Sequence, residues 1–287
     1  MNKPRILFWH RKDLRIFDNQ ALIKAFSLSN AITSTYIFDK NYSHDFNASS
    51  RAWFLGNSLQ ELGNNWKKMG SRLIMEEGDP VLIIPQLAKK IDAKFVFWNR
   101  SIEPYEINRD LQIKKNLKEQ NIQVIETWDH LLVEPLKIFS GNNNPYSVYG
   151  PFYKNLKSKM NLLGSYDQDK VIFQFKDIDN KLKENKTINS SDSVLEKFIK
   201  NIKFPGSNIC PCRPGENAAE TLLENFINEK KIYSYNSARD FPSHNGTSFL
   251  SASLRFGTIS IRKIWNATLN LNSDFANQEN YLSIETW

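Results

Sequence analysis

Short apolar runs alternate with amphipathic stretches through the first half of the chain. Arg5 to Trp9 (RILFW) is an apolar run closed by polar HRKDLR. DNQALIKAF then places Ala21, Leu22 and Phe26 on one helical stripe, with Asp18 as candidate N-cap. The unit recurs. Ala31 to Asp39 (AITSTYIFD) reads as a strand, and Arg51 to Gly70 as a helix with Leu55, Leu59 and Leu62 on one face. SRLIMEEGDP gives a third strand and turn, after which Pro80 opens a helix capped by Asp79. Lys94 to Asn99 (KFVFWN) is a buried strand by length and aromatic content, followed by another helix and by the strand IQVIETW.

Strands alternating with helices from Arg5 to about Trp128 predict an α/β domain over residues 1–130, a doubly wound, mostly parallel sheet with helices on both faces. Such sheets bind ligands beyond the C-terminal ends of their strands. The polar stretch from about Gly164 to Ser193 has no sustained periodicity and marks a connector, residues 131–204. From CRPGENAAETLLENFINEKK onward the pattern is helical with no intervening strand, Ala219, Leu222, Leu223 and Phe226 forming an apolar face, which predicts an all-α region over 205–287.

A chain of 287 residues, 40% hydrophobic and 24% charged, has the composition of a globular protein of two domains. It has no run of eighteen apolar residues, and MNKPRILFWHRKDLR puts charge where a signal peptide needs its apolar stretch, so a cytoplasmic protein with no membrane partner is expected. Cys210 and Cys212 lack the second pair that a structural zinc site needs, and no metal is expected. Neither a G-x-G-x-x-G after the first strand nor a P-loop is present, which argues against a dehydrogenase or P-loop domain. The net charge of +7 invites a nucleic-acid reading, but from Lys200 onward nine Lys and Arg face eight Asp and Glu. Most of the excess is scattered lysine earlier in the chain, which reads as a solvated surface.

The most informative stretch is Tyr235 to Gly257, YNSARDFPSHNGTSFLSASLRFG. Gly246 can supply an unusual backbone angle, and Thr247 and Ser248 can cap a helix running through Leu250 and Leu254, with Ser251 one turn in. That geometry suits an anion such as a phosphate, and it equally describes an ordinary capped helix. Arg239 and Asp240 read as a local ion pair, and Tyr235 as a packing residue.

Over its whole length this segment resembles the photolyase and cryptochrome family, whose signature is Y-x-x-x-R-D-x-P-x-x-x-G-T-S-x-L-S-x-x-L-x-x-G-x-[IL]-S. LFWHRKDLRIFDNQAL resembles the family's opening, W-x-R-x-D-L-R-x-x-D-N-x-A-L, and WNRSIEPYEINRD and NPYSVYGPF also look familial. The resemblance, to the class I cyclobutane pyrimidine dimer photolyases in particular, implies an α/β antenna domain joined by a long linker to a helical domain that holds FAD. Tyr235 would contact the flavin, and Thr247, Ser248, Phe249, Leu250 and Ser251 would cradle its pyrophosphate. Arg239 would sit toward the backbone of damaged DNA. The final SIETW is similar to the entry of the family's W-x-x-E-x-x-W-R-E-F segment, so Trp287 would match the tryptophan that lies against the flavin.

The resemblance also implies an antenna chromophore, a deazaflavin in preference to methenyltetrahydrofolate, with Phe38, Arg51, Ser101, Tyr105, Glu106 and Arg255 as its candidate site. Ser101 stands where the deazaflavin-binding subgroup has a carboxylate. The implied activity is light-driven repair, in which excited reduced FAD splits pyrimidine dimers by electron transfer and no acid-base dyad is needed. The alternative is a cryptochrome-like blue-light sensor or antenna module without repair activity. The helices that would follow Trp287 are expected from a separate C-terminal half or from a longer chain, and without them the helical region should expose apolar surface.

Overall fold

A computed structural model describes residues 3–39, 49–135, 137–163, 191–202, 212–269, 271 and 278–287. Five strands, β1 (Ile6–His10), β2 (Ile32–Asp39), β3 (Leu73–Gly78), β4 (Phe95–Asn99) and β5 (Gln123–Thr127), form one parallel sheet in the order β3-β2-β1-β4-β5. Each expected strand is present, within a residue or two of its predicted ends. The chain winds outward from β1 through β2 to β3, then returns to β4 and β5. The sheet therefore reverses direction between β1 and β4, and the loops above that point are free to line a crevice.

Strand alternation feeds two cores. On one face Ile6, Phe8, Ile32, Tyr36, Phe38, Met75 and Phe97 pack against α1 (Gln20–Leu28) and α2 (Ser49–Lys68), where Leu55, Leu59, Leu62 and Trp66 are buried as their spacing predicts. On the other, Leu7, Trp9, Ile37, Ile74, Val96 and Trp98 meet α3 (Pro80–Lys90) and α4 (Pro104–Glu119). Burying each such side chain contributes roughly 1.5–3 kcal/mol, so the two layers supply the driving force for this domain.

Beyond the sheet come α5 (Tyr149–Leu163), α6 (Ser191–Lys200), α7 (Glu216–Asn228), a 3₁₀ turn at Lys231–Ser234 leading into α8 (Tyr235–Ala238), α9 (Ser251–Phe256), α10 (Ile261–Leu269) and α11 (Gln278–Thr286). No described strand interrupts this helical series. Most of the polar stretch predicted as connector, 164–190, lies outside the described residues, as does Cys210. Its last segment, α6, belongs to the sheet's packing: Leu195 is buried in the first core, and the Phe198 ring centroid is 4.7 Å from that of Phe38. Among the described residues, no helix is long and apolar enough to cross a membrane.

Two local expectations change. Asn19, not Asp18, caps α1, its side chain accepting from Leu22 N at 3.3 Å. Asp18 has φ 48° and turns its carboxylate toward the helical region. Gly246 does not have positive φ; a Cβ there would come within 2.4 Å of Ala238 Cβ, so the site needs space, and Phe249 takes the left-handed angle at φ 55°. Neither Thr247 nor Ser248 caps α9, whose cap position is Leu250.

The helical region is seated on the α/β domain by buried polar contacts. Arg15 Nη2 donates to Asp129 Oδ2 at 2.6 Å, and Arg262 Nη2 donates to Asp129 Oδ1 at 2.8 Å while its Nε reaches Asp18 Oδ1 at 3.0 Å. Ser260 Oγ also bonds Asp18. Although burial opposes it, the charges of Arg15 and Arg262 hold the Asp129 carboxyl below the usual range. Glu216, at the start of α7, accepts from Ile16 N at 3.1 Å and Phe17 N at 2.9 Å. Gly257 has φ 66°, and a Cβ there would lie 2.0 Å from the Lys12 carbonyl oxygen.

Gly257→Ala should therefore destabilise the chain by at least about 2 kcal/mol, through backbone strain and a clash with backbone. Urea unfolding checks this, and a loss under about 0.5 kcal/mol would show that the junction yields.

Burial pushes the Glu216 carboxyl up from 4.5 to about 7, against the two backbone N–H donors and Arg15, which favour its ionised form. The folded state thus holds the proton more tightly than the unfolded chain. The stability this group contributes is complete below pH 4.5 and is lost as pH rises to about 7. Subtracting the pH profile of Glu216→Gln from that of the parent should expose this downward slope; parallel profiles would refute it.

Candidate functional site: a cationic, aromatic cleft at the strand ends

An open cleft lies beyond the C-terminal ends of β1 and β2. Trp9, His10, Arg11 and Lys12 come from β1 and the loop after it, and Tyr36, Ile37 and Asp39 from β2. Arg51 of α2, Glu106 and Arg109 of α4, and Arg255 and Phe256 of α9 complete the wall. Five Lys and Arg side chains face two carboxylates there, and three aromatic rings are presented beside them. Such a lining suits an anionic ligand with a flat aromatic body.

The cations are held in place by specific partners. Arg11 Nη1 forks onto both Asp110 oxygens at 2.9 and 2.7 Å, and its Nη2 donates to the Asn99 carbonyl. Arg109 Nη1 is 3.4 Å from Asp39 Oδ2, and the guanidinium carbons of Arg11 and Arg109 lie 4.9 and 4.7 Å from the Trp9 ring centre. Lys12 Nζ is 3.0 Å from Glu103 and 3.1 Å from Glu106. Burial works against the ionised form of Glu106, but the Ser101 hydroxyl, Lys12, Arg11 and Arg109 together keep its carboxyl below the usual range. His10 accepts from Trp66 Nε1 at 2.9 Å through Nε2, which leaves Nδ1–H to donate to the Asp13 carbonyl at 3.0 Å. These two contacts fix the orientation of the ring.

Of the residues singled out from sequence for an antenna ligand, Arg51, Glu106 and Arg255 line this cleft. Tyr105 is tied to it, its hydroxyl donating to Asp39 Oδ2 at 3.1 Å. Ser101 lies in a small adjoining polar depression, shared with Asp13, Asn99, Asp129 and His130. Phe38 is absent from the cleft lining. It is buried in the first core against Phe198, and Tyr36 is the aromatic residue of β2 that lines the cleft. Trp9, Lys12, Tyr36, Asp39, Arg109 and Phe256 were not singled out. Position at or just past a strand's C-terminal end flags Trp9, Lys12 and Asp39, and Arg109 stands one turn after Glu106 on the same helix face.

The second group of expected residues meets around α7 and α11. Phe226 of α7 packs between Tyr235 and Trp287, at ring distances of 6.1 and 5.0 Å. Trp287 N donates to Ser283 O at 3.1 Å, and its Nε1 donates to Ser248 Oγ at 3.3 Å. Leu250 is buried with Ala219, Leu223 and Ile259, Thr247, Ser248 and Phe249 are half-buried, and Ser251 is exposed. Phe226 and Ser248 thus bring Tyr235 and Trp287 to the start of α9. Arg239 pairs with Asp240 at 3.7 Å, as its spacing predicts, and sits 5.9 Å from the Tyr235 ring centre, half-exposed.

The chain thus has a doubly wound parallel sheet with a cationic, aromatic cleft at its strand ends, followed by a helical region with a second aromatic cluster. The model of the DNA photolyase family matches residues 6–171, and the chain belongs to that family. It is 35% identical over 285 residues to the deoxyribodipyrimidine photo-lyase of Synechococcus sp. strain PCC 6301, covering 98% of this chain and 57% of that one. It is 31% identical over 290 residues to the uncharacterized 31.6 kDa protein in atpI 5′ region of Synechococcus sp. strain PCC 6716, covering 97% of that protein. Among solved structures, a class III photolyase from Agrobacterium tumefaciens superposes with a TM-score of 0.76 at 26% identity, over 99% of this chain and 57% of that one. A cryptochrome of Synechocystis sp. PCC6803 shares the fold, with a TM-score of 0.80 at 23% identity over 99% of this chain and 59% of that one. The chain thus spans a little over half the length of the curated photo-lyases it matches.

Riboflavin 5′-phosphate, a flat aromatic anion, should bind with an affinity that falls as salt rises, and Arg51→Ala should weaken it about tenfold. Fluorescence titration at two ionic strengths checks this; equal affinity in the variant would remove Arg51 from the site.

Proposed function

We propose that this chain forms the antenna domain and part of the FAD-binding wall of a light-driven DNA-repair flavoprotein of the deoxyribodipyrimidine photo-lyase kind. The observation that carries the reading is the cleft, whose lining brings the rings of Trp9, Tyr36 and Phe256 together with the positive charges of Arg51, Arg109 and Arg255. Identity to a photo-lyase, 35% over 98% of this chain, exceeds that to the Cryptochrome-1 of Arabidopsis thaliana, 28% over 96%, which supports repair over sensing.

In this reading the cleft holds an antenna chromophore of the deazaflavin type. Arg51 and Arg255 meet its anionic groups, Glu106 and Tyr105 present hydrogen-bonding groups, and Ser101 steadies Glu106. The backbone and hydroxyls of Thr247, Ser248, Phe249, Leu250 and Ser251 receive the pyrophosphate of FAD, while Tyr235 and Trp287 lie against the flavin body. Reduced FAD, when bound and excited by light, would supply the electron that splits a cyclobutane pyrimidine dimer. The protein's own part is to orient the cofactors, exclude water and grip the damaged strand, with Arg239 near a phosphate. The curated photo-lyases are longer, and further helices, in the same chain or a separate one, would complete the flavin site and the DNA surface.

Blue light should remove dimers from a thymine-dimer oligonucleotide in the presence of this chain, FAD and reductant. Dimer loss above a dark control supports repair. FAD binding without dimer loss would replace repair by the light-sensor reading, and failure to bind either FAD or riboflavin 5′-phosphate would overturn the proposal.

A further inference from the structure

The cleft is built by both parts of the molecule. Ten of its lining residues come from the α/β domain, and two, Arg255 and Phe256, from the last turn of α9 in the helical region. We infer that a ligand in the cleft fastens α9 onto the α/β domain and thereby orders the loop that opens this helix, residues 246–250. The inference rests on the cleft being a ligand site, as proposed above.

At its C-terminal end α9 is already part of the cleft wall. The Phe256 carbonyl accepts from Leu14 N at 3.1 Å, and its ring stacks on Phe54 of α2 at 5.3 Å and 21°. The Gly257 carbonyl accepts from Arg15 Nη1 at 3.1 Å, and Gly257 itself lies against the Lys12 backbone, where Lys12 also lines the cleft. At its other end Leu250 is buried against α7, and Ser248 meets Trp287. Six residues at a rise of 1.5 Å make α9 only about 9 Å long. A shift at the cleft therefore reaches the 246–250 loop through one rigid turn and a half of helix.

The differential contact that drives the shift is electrostatic. Arg255 is 3.6 Å from Glu103, both side chains well exposed, and surface pairs of this kind contribute little. An anion inside a cleft with five cations and two carboxylates gives Arg255 a stronger partner. A ligand that interacts more favourably with the docked arrangement must shift the population toward it. By reciprocity, whatever orders the 246–250 loop must raise affinity in the cleft by the same factor.

Hydrogen exchange of the whole chain, with and without saturating riboflavin 5′-phosphate, tests this. Exchange should slow at least fivefold in peptides from 246–258 as well as at the ends of β1 and β2. Arg255→Ala should bind about tenfold more weakly. At saturation it should keep protection at the strand ends while losing it over 246–250, and Arg255→Lys should restore part of it. Protection confined to the strand ends of the parent chain would overturn the coupling and leave the cleft assignment standing. Absence of binding would overturn both.

Discussion

One buried ionic cluster ties the helical region to the loop after β1. Asp129 and Arg15 are almost inaccessible to solvent, Arg262 is nearly so, and Asp18 closes the group. Taking such ions out of water costs several kcal/mol each, and only close, multiply hydrogen-bonded geometry offsets that. Here every carboxylate has at least two donors and each guanidinium at least two acceptors. Once formed, the cluster admits few arrangements of α10 relative to β1. It therefore acts as a constraint on geometry more than as a reservoir of stability.

The loop after β1 serves this cluster and the cleft at once. Arg11 and Lys12 point to the cleft, whereas Arg15 and Asp18 enter the cluster, and Asp13 with Asn19 joins Asn99 between them. Asp13 is kept below the usual carboxyl range despite its burial, by His10, the Arg11 N–H and Asn99. A change in the turn at 11–19 would thus move the cleft's cations and the seat of the helical region together. The motif WHRKDLRIFDN reads as a single mechanical part, which explains how one short segment carries so much of the resemblance to the family.

The strands were legible because fully buried parallel strands are plain apolar runs, while α1 to α4 carry clear stripes. The cleft's position followed from topology, and Arg51, Glu106 and Arg255 from the family's motifs. What escaped depends on long-range packing. Tyr36 and Phe38 lie on the same face of β2, and only the arrival of α6, some 160 residues later, covers Phe38 and leaves Tyr36 as the ring of that face that also lines the cleft. Asp39 and Arg109 acquire meaning from each other across 70 residues. Asp18 looked like a cap because its proper partners, Ser260 and Arg262, lie more than 240 residues away.

Charge shows the same dependence on folding. Read linearly, the surplus of +7 is scattered lysine, with little of it in the helical region. Folding gathers Arg11, Lys12, Arg51, Arg109 and Arg255 from four separate places in the chain around one opening. Asp110 and Asp39 neutralise part of that charge and lock Arg11 and Arg109 in orientation. Positive potential is thereby focused into a cavity lined with low-polarity rings, where it acts on a bound anion far more strongly than the same charges spread over solvated surface could. Arg255 reaches this opening only while the helical region is docked, so the ionic cluster at Asp129 is also a condition for the cleft's full charge.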